Sequence, residues 1–280
     1  MMLTGKARLA GVMGWPVSHS RSPRLHGHWL ERYGIDGAYV PLAVRPERVC
    51  DAVRALPILG FSGCNLTVPH KELVLPALDR IDPLARRIGA VNTVVVAADG
   101  ALEGSNTDAF GFIQSLREAA PGWSAAAGPA MIVGAGGAVR AIVVALQQAG
   151  VAEVRIANRT RARAETLAAE FGGVAVVDWV DRARALDGVG LLVNGTTQGM
   201  TGEPALDLDL THLPASAIVA DIVYVPLMTP LLAAAAARGN PIVDGLGMLL
   251  HQARPGFEKW FGVAPQVDAD LRRFVLGLPG

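Results

Sequence analysis

Met131-Ile132-Val133-Gly134-Ala135-Gly136-Gly137-Ala138-Val139-Arg140-Ala141 passes from an apolar run, through a glycine-rich turn, into a helix-forming stretch. Glycines at such a junction let the backbone turn tightly and approach a pyrophosphate. The helix that follows offers free N–H groups and partial positive charge to the anion. The third glycine of the usual GxGxxG pattern is absent, because Val139 stands there. An ordinary tight strand-to-helix turn is the plainer reading of this loop taken alone.

The next strand sharpens the reading. It ends Ile156-Ala157-Asn158-Arg159-Thr160-Arg161-Ala162-Arg163, with three arginines and no carboxylate. An acidic residue at this place suits the free ribose hydroxyls of NAD, whereas arginine forks suit a 2′-phosphate. A solvated basic turn is the competing reading. It is weakened because positive charge at a helix N-terminus opposes the helix dipole. NADP is therefore expected over NAD.

Working outward, strand-like and helix-like runs alternate almost throughout. Strands are expected at 9–13, 38–44, 60–67, 94–98, 101–104, 130–133, 154–157, 190–193, 218–222 and 241–243. Helices are expected at 22–33, 46–55, from His70, from Asp108 (with Asp108 as N-cap), and at 137–149, 161–171, 229–238, 248–261 and 267–276. Asp99-Gly100 between two apolar runs is a strong hairpin signal. The alternation predicts an α/β protein with mostly parallel sheets. The expected division falls near Thr107, with a return crossing near Asp244.

Composition narrows the function. The 280 residues suit about two domains. With 51% hydrophobic and 18% charged residues the chain has ample core and is not disordered. Twenty-five basic residues balance twenty-five acidic ones, so no overall basic field is available to hold nucleic acid. Cys50 and Cys64 make no disulfide framework and no CxxC pair, which suits a reduced compartment. No apolar run approaches membrane-spanning length. The N-terminal residues show no signal-peptide pattern. A soluble cytoplasmic protein without membrane or nucleic-acid partners is expected.

Three polar segments close apolar strands. They are Gly63-Cys64-Asn65-Leu66-Thr67-Val68-Pro69-His70-Lys71, Gly89-Ala90-Val91-Asn92-Thr93 and Gly104-Ser105-Asn106-Thr107-Asp108. A lone lysine is usually a solvated surface group, but Asn65 and Thr67 beside Lys71 make this one a site candidate. His19 and His70 lack metal-ligand spacing, and no metal is expected.

Taken together, in order and over essentially the whole chain, these motifs resemble the shikimate dehydrogenase family. The further matches are Ser20-Arg21-Ser22-Pro23, Asn194-Gly195-Thr196-Thr197-Gln198-Gly199-Met200, Asp221-Ile222-Val223-Tyr224-Val225-Pro226, and Asp244-Gly245-Leu246-Gly247-Met248 followed by Gln252. Trp15, Gly27, Gly195 and Thr197 depart from the family's usual residues. The resemblance implies an N-terminal substrate domain, 1–107, completed by helices within 245–280. It also implies a Rossmann-like NADP-binding domain, 108–244, with a cleft between them.

The implied reaction is the NADP-dependent, reversible reduction of 3-dehydroshikimate to shikimate. Lys71 and Asp108 would flank the reacting oxygen. Ser20 and Ser22 would hold the substrate carboxylate, with Tyr224 near it. Asn65, Thr67, Asn92 and Gln252 would take the ring hydroxyls. Gly134, Ala135, Gly136, Gly137, Ala138, Asn158, Arg159, Thr160, Arg163, Ile222 and Gly245 would bind the cofactor. The chain would act as a monomer or homodimer. A quinate or amino-shikimate dehydrogenase and a non-catalytic nucleotide sensor on the same fold are the alternatives.

Overall fold

Two six-stranded sheets organise the chain, and the computed structural model describes residues 2–278. The extreme ends of the expected domain ranges, 1 and 279–280, lie outside the described residues. One compact unit holds the chain up to Asp108 and from Leu250 onward; the other is Ala109–Leu249.

The first unit contains β1 (Arg8–Gly14), α1 (Ser22–Arg32), β2 (Gly37–Ala43), α2 (Val49–Arg54), β3 (Phe61–Leu66), α3 (His70–Leu73), β4 (Arg80–Ile81), α4 (Pro83–Ile88), β5 (Thr93–Val96) and β6 (Leu102–Ser105). Its sheet runs β2-β1-β3-β5-β6-β4. The Asp99-Gly100 turn joins β5 to β6, so β5 alone runs antiparallel to its neighbours. The helix expected at 46–55 opens with a 3₁₀ turn at Pro46–Arg48 before α2 begins. Sequence reasoning passed over α4, although its signals are present. Asp82 caps it by accepting from the Ala85 N–H at 2.6 Å, Pro83 opens it, and Gly89 closes it in the left-handed region.

α5 (Asp108–Ala119) begins on the last residue of the first unit's opening stretch and carries the chain into the second, which continues through β7 (Ala130–Val133), α6 (Gly137–Gln148), β8 (Val154–Ala157), α7 (Arg161–Phe171), β9 (Val174–Val177), β10 (Leu191–Asn194), β11 (Ile218–Asp221), α8 (Pro230–Ala237) and β12 (Ile242–Val243). β9 was not anticipated. All pairings in this sheet are parallel, in the order β12-β11-β10-β7-β8-β9. That is the doubly wound nucleotide-binding order, with its switch point between β7 and β10. A parallel sheet covered on both faces must be apolar on both. Accordingly Ala130, Ile132, Leu191, Val193, Ile218 and Ala220 face one core, while Met131, Val133, Leu192 and Val219 face the other. Each fully buried Leu, Ile or Val here contributes about 1.5–3 kcal/mol.

The last helices are α9 (Gly245–Phe261), which starts three residues before the expected Met248, and α10 (Ala269–Leu276). The chain passes from the second unit to the first inside α9, after Leu249. Phe257, Trp260 and Phe261 lie on one buried face of α9 at helical spacing, and Trp260 Nε1 donates to the Val94 carbonyl at 3.0 Å. α10 is tied to α1 by Arg21 and Arg24, which donate to the Val275 and Phe274 carbonyls at 3.0 and 2.7 Å. Both cysteines are free thiols, and Cys64 is buried in the first unit's core. Among the described residues no helix is long and apolar enough to cross a membrane.

His26 on α1 is fully buried among aromatic rings, stacked on Tyr39 at 3.9 Å, and neither ring nitrogen has a hydrogen-bond partner. Burial pushes its pKa down to about 3 from 6.5. In the unfolded chain the ring takes a proton below 6.5 that the folded protein refuses. Stability therefore falls as the pH drops from 6.5 toward 3, at about 1.4 kcal/mol per pH unit from this group. Urea unfolding across that range should show a shallower pH slope for His26→Phe than for the unmodified protein; equal slopes would contradict the assignment.

Candidate active site

At the switch point, the loops leaving β7 and β10 touch. Gly134 has φ +116°, and a Cβ on it would sit 3.0 Å from the Gly195 backbone. A Cβ on Gly195 would in turn collide with the Val139 side chain, which is fully buried in the core below α6. Two departures in the sequence thus explain each other. The usual third glycine allows close packing of helix against sheet; here Val139 fills that space, and the strand-end residue facing it has shrunk to Gly195.

The N-terminus of α6 has the character of an anion cradle. Its N-cap, Gly136, makes no side-chain cap, and the space a Cβ would fill there is open. Ala135, Gly137 and Ala138 complete the turn. At the end of β8, Asn158 Nδ2 donates to the Thr160 carbonyl at 2.8 Å and shapes the next turn. Arg161 is committed to Glu165 and Asp178. Arg159 and Arg163 form no ion pair among the described residues and are exposed. This donor set fits a dinucleotide with a phosphorylated ribose: backbone amides for the diphosphate, two uncommitted guanidiniums for the 2′-phosphate, and no carboxylate within the 158–163 turn, the neighbouring Glu165 and Asp178 being neutralised by Arg161.

A buried network that sequence reasoning missed braces the same end of the sheet. Asp221 Oδ1 accepts from Asn194 Nδ2 at 3.0 Å and from the Val223 N–H at 2.9 Å. Its Oδ2 accepts from the Thr229 hydroxyl at 2.7 Å. Asn194 Oδ1 accepts from the Thr196 N–H and hydroxyl at 3.0 and 2.7 Å. Burial pushes the Asp221 carboxyl above its usual range, while its hydrogen bonds pull the other way. Ile222 is half-buried against the core. Gly245 is required by packing, since a Cβ would overlap the Ile222 and Val223 backbone.

The first unit holds the charged centre. Lys71 Nζ pairs with Asp108 Oδ2, and both side chains are largely buried. Asp108 was expected to cap the helix; instead it is the first residue of α5, and its carboxylate binds Lys71 and Asn92. The reason is that Asn106 takes the local role, its Oδ1 accepting the Asp108 N–H at 3.0 Å. Asn92 is the hub. Its Nδ2 donates to Asp108 Oδ1 at 2.8 Å, Thr107 Oγ1 at 3.0 Å and Gln252 Oε1 at 3.3 Å. Its Oδ1 accepts from the Thr107 N–H and the Thr93 hydroxyl, both at 2.9 Å.

Asn65 joins through Nδ2, which donates to the Asn92 carbonyl at 3.0 Å and Thr93 Oγ1 at 3.1 Å, while its Oδ1 accepts from the Tyr39 phenol at 2.6 Å. Ser22 lies buried at the start of α1, and its N–H donates to Ser20 Oγ at 3.3 Å. Thr67 stays outside this network, its methyl against Gly14. Tyr224 belongs to the second unit. Tyr39, Thr93 and Thr107 were not singled out from sequence. Thr93 and Thr107 stood in the motifs, but nothing in the apolar strand around Tyr39 marked its hydroxyl. Among the described residues no cluster of three or more His, Cys, Asp or Glu could hold a metal ion.

One doubly wound nucleotide-binding unit and one unit with a buried lysine–carboxylate pair, in a single chain, are the make-up of a nicotinamide-dependent dehydrogenase. The comparisons are specific. Residues 12–94 match the shikimate dehydrogenase substrate-binding domain, 119–198 the shikimate/quinate 5-dehydrogenase model, and 245–272 the shikimate 5′-dehydrogenase C-terminal domain. The shikimate dehydrogenase (NADP(+)) of Paramagnetospirillum magneticum is 66% identical over 98% of this chain and all of its own. That of Rhodospirillum rubrum is 58% identical over 99% and 100%. A Thermus thermophilus shikimate 5-dehydrogenase solved with NADP(H) and shikimate superposes with TM-score 0.86 at 39% identity, covering 96% of this chain and 99% of that one. A Corynebacterium glutamicum quinate dehydrogenase solved with NAD gives 0.90 at 33% identity, covering 97% and 99%. The chain belongs to the shikimate dehydrogenase family.

The Val139–Gly195 packing is directly testable. Gly195→Ala should destabilise the protein by about 1–3 kcal/mol through overpacking. Adding Val139→Ala should recover part of that loss, a coupling measurable by a double-mutant cycle of urea unfolding. Additive losses would mean that the two positions do not share the space.

Proposed function

We infer that this protein catalyses the reversible, NADP-dependent reduction of 3-dehydroshikimate to shikimate, a step toward the aromatic amino acids. The observation that carries this reading is the buried Lys71–Asp108 pair, held by Asn92; Lys71 and Asn92 lie within residues 12–94, which match the family's substrate-binding domain. The first unit then serves as substrate domain and the second as NADP domain. The uncommitted Arg159 and Arg163 support NADP. The free thiols of Cys50 and Cys64 suit a cytoplasmic setting.

When bound, the nicotinamide supplies or accepts the hydride. Lys71 Nζ donates a hydrogen bond to the substrate carbonyl oxygen, stabilises the alkoxide charge that develops there, and delivers the proton; the reverse reaction returns that proton to Lys71. Asp108 fixes the ammonium with Oδ2, while Asn92 holds Oδ1 and so sets the carboxylate's orientation. Ser20 and Ser22 are proposed to bind the substrate carboxylate, with Tyr224 contributing on that side. Asn65, Thr67, Asn92 and Gln252 are proposed to bind the ring hydroxyls. Because Asn92 is already engaged at both ends of its amide, its contribution is first to hold Asp108. Gly134 to Ala138 are proposed to cradle the diphosphate. Asn158, Arg159, Thr160 and Arg163 would surround the 2′-phosphate, with Ile222 and Gly245 nearer the nicotinamide.

Quinate oxidation with NAD is the second reading, favoured by the likeness to the quinate dehydrogenase. Absorbance at the reduced-nicotinamide band, with shikimate or quinate against NADP or NAD, separates the two. Turnover of shikimate with NADP is expected, and turnover confined to quinate with NAD would overturn the assignment. Lys71→Met should lower kcat by about 10²- to 10⁴-fold while leaving the NADP KM within a few-fold. Arg159→Asp should raise the NADP KM at least ~10-fold by removing a charge-assisted phosphate contact, with little change in the shikimate KM.

A further inference from the structure

The amide of Asn65 has a fixed direction, and the hydrogen-bond chemistry around it says why. The Asn92 carbonyl can only accept, so Nδ2 must face it; the second Nδ2 hydrogen goes to Thr93 Oγ1. Both donors of Asn65 are thereby used inside the protein. Its Oδ1 points the other way and receives the Tyr39 phenol proton at 2.6 Å. One lone pair of Oδ1 remains.

Tyr39 is well suited to hold that orientation. On the sheet, Tyr39 pairs with Ala10 and Asn65 with Val12, so β1 lies between them. The small Ala10 leaves room for the phenol to reach diagonally across that strand. The ring is buried and lies parallel to His26 at 3.9 Å, with an interplanar angle of 5°. His26, lacking partners on both nitrogens, acts as a flat apolar slab against it. Burial also raises the phenol well above its usual pKa, and the Ser22 side chain faces the same oxygen. The hydroxyl thus stays protonated and remains a donor over the working pH range.

We propose that Tyr39 is a positioning residue for substrate recognition: by donating to Asn65 Oδ1 it holds in place the amide whose direction the Asn92 carbonyl sets, so that Oδ1 is kept where its remaining lone pair accepts from a substrate hydroxyl. This rests on the reading that Asn65 contacts a ring hydroxyl of shikimate. It also connects Asn65 to the Ser22 end of the site through one rigid ring.

The test is Tyr39→Phe, which keeps the ring stacked on His26, measured alone and in an Asn65→Ala background. The single variant should raise the shikimate KM by about 10-fold, the worth of one hydrogen bond near the upper end of its usual range, with the NADP KM unchanged. In the Asn65→Ala background the same substitution should change the shikimate KM less than twofold, because its route of action is already gone. A general structural role would instead show the same loss in both backgrounds, and that result would overturn the proposal. So would an unchanged shikimate KM in the single variant. Thermal unfolding of each variant identifies any loss of fold, and an equal loss of NADP affinity would count against a substrate-side role. If the unmodified protein fails to turn over shikimate at all, the functional reading falls and takes this proposal with it; an active parent with an unaffected variant removes the proposal alone.

Discussion

A carboxylate that is only 4% exposed must be paid for by its surroundings, and Asp108 imposes that demand on the first unit. An ionised group out of water is tolerated only when paired and hydrogen-bonded. Lys71 supplies the charge and Asn92 the neutral donor. Asn92 is in turn held by Thr93 and Thr107, and Asn65 by the Asn92 carbonyl, Thr93 and Tyr39. Satisfying one buried charge therefore orders the ends of β3, β5 and β6 together. The same arrangement leaves a lysine ammonium beside a fixed carboxylate, the pair proposed above to serve carbonyl reduction.

The second unit follows a different constraint, that of space. Alternating residues of β7, β10 and β11 fill two separate cores, so a one-residue slip of register would exchange side chains between them and mismatch the volumes of both. Within that fixed frame the strand ends meet at the switch point, where the Gly134 and Gly195 loops touch and Val139 lies beneath. A volume moved from one loop to the other preserves the junction. This explains how the chain departs from the usual glycine pattern at two places and keeps the doubly wound geometry.

The sheets were legible because their physical signals are local. A strand-length apolar run ending at Gly134 marked β7, a second before the polar Asn158-Arg159 turn marked β8, and Arg161–Phe171 read as a helix from its alternation with them. β4, with two residues, is too short for any period to emerge, whereas β9 has the four-residue length of β7 and β8 and was passed over at the sheet edge. α4 had cap signals but little apolar patterning. The N-cap reading of Asp108 fails for a clear cause: an Asp at a helix start caps it by default, but here Asn106 accepts the Asp108 N–H and Lys71, 37 residues away, takes the carboxylate.

What the sequence determined by itself is the doubly wound sheet, the glycine-rich turn after β7, the absence of an acid at the end of β8, and the candidate lysine and aspartate. Each depends on neighbours within a few residues, or on motif order along the chain. The tertiary structure alone decided who partners whom. Tyr39 meets Asn65 because β1 lies between them with a small residue facing the gap. Gln252 reaches Asn92 across 160 positions of sequence, and Asp221 gathers Asn194 from the end of β10 and Thr229 from the start of α8. Hydrogen-bond partnership between distant segments depends on sheet order and pleat, and those exist only once the chain has packed.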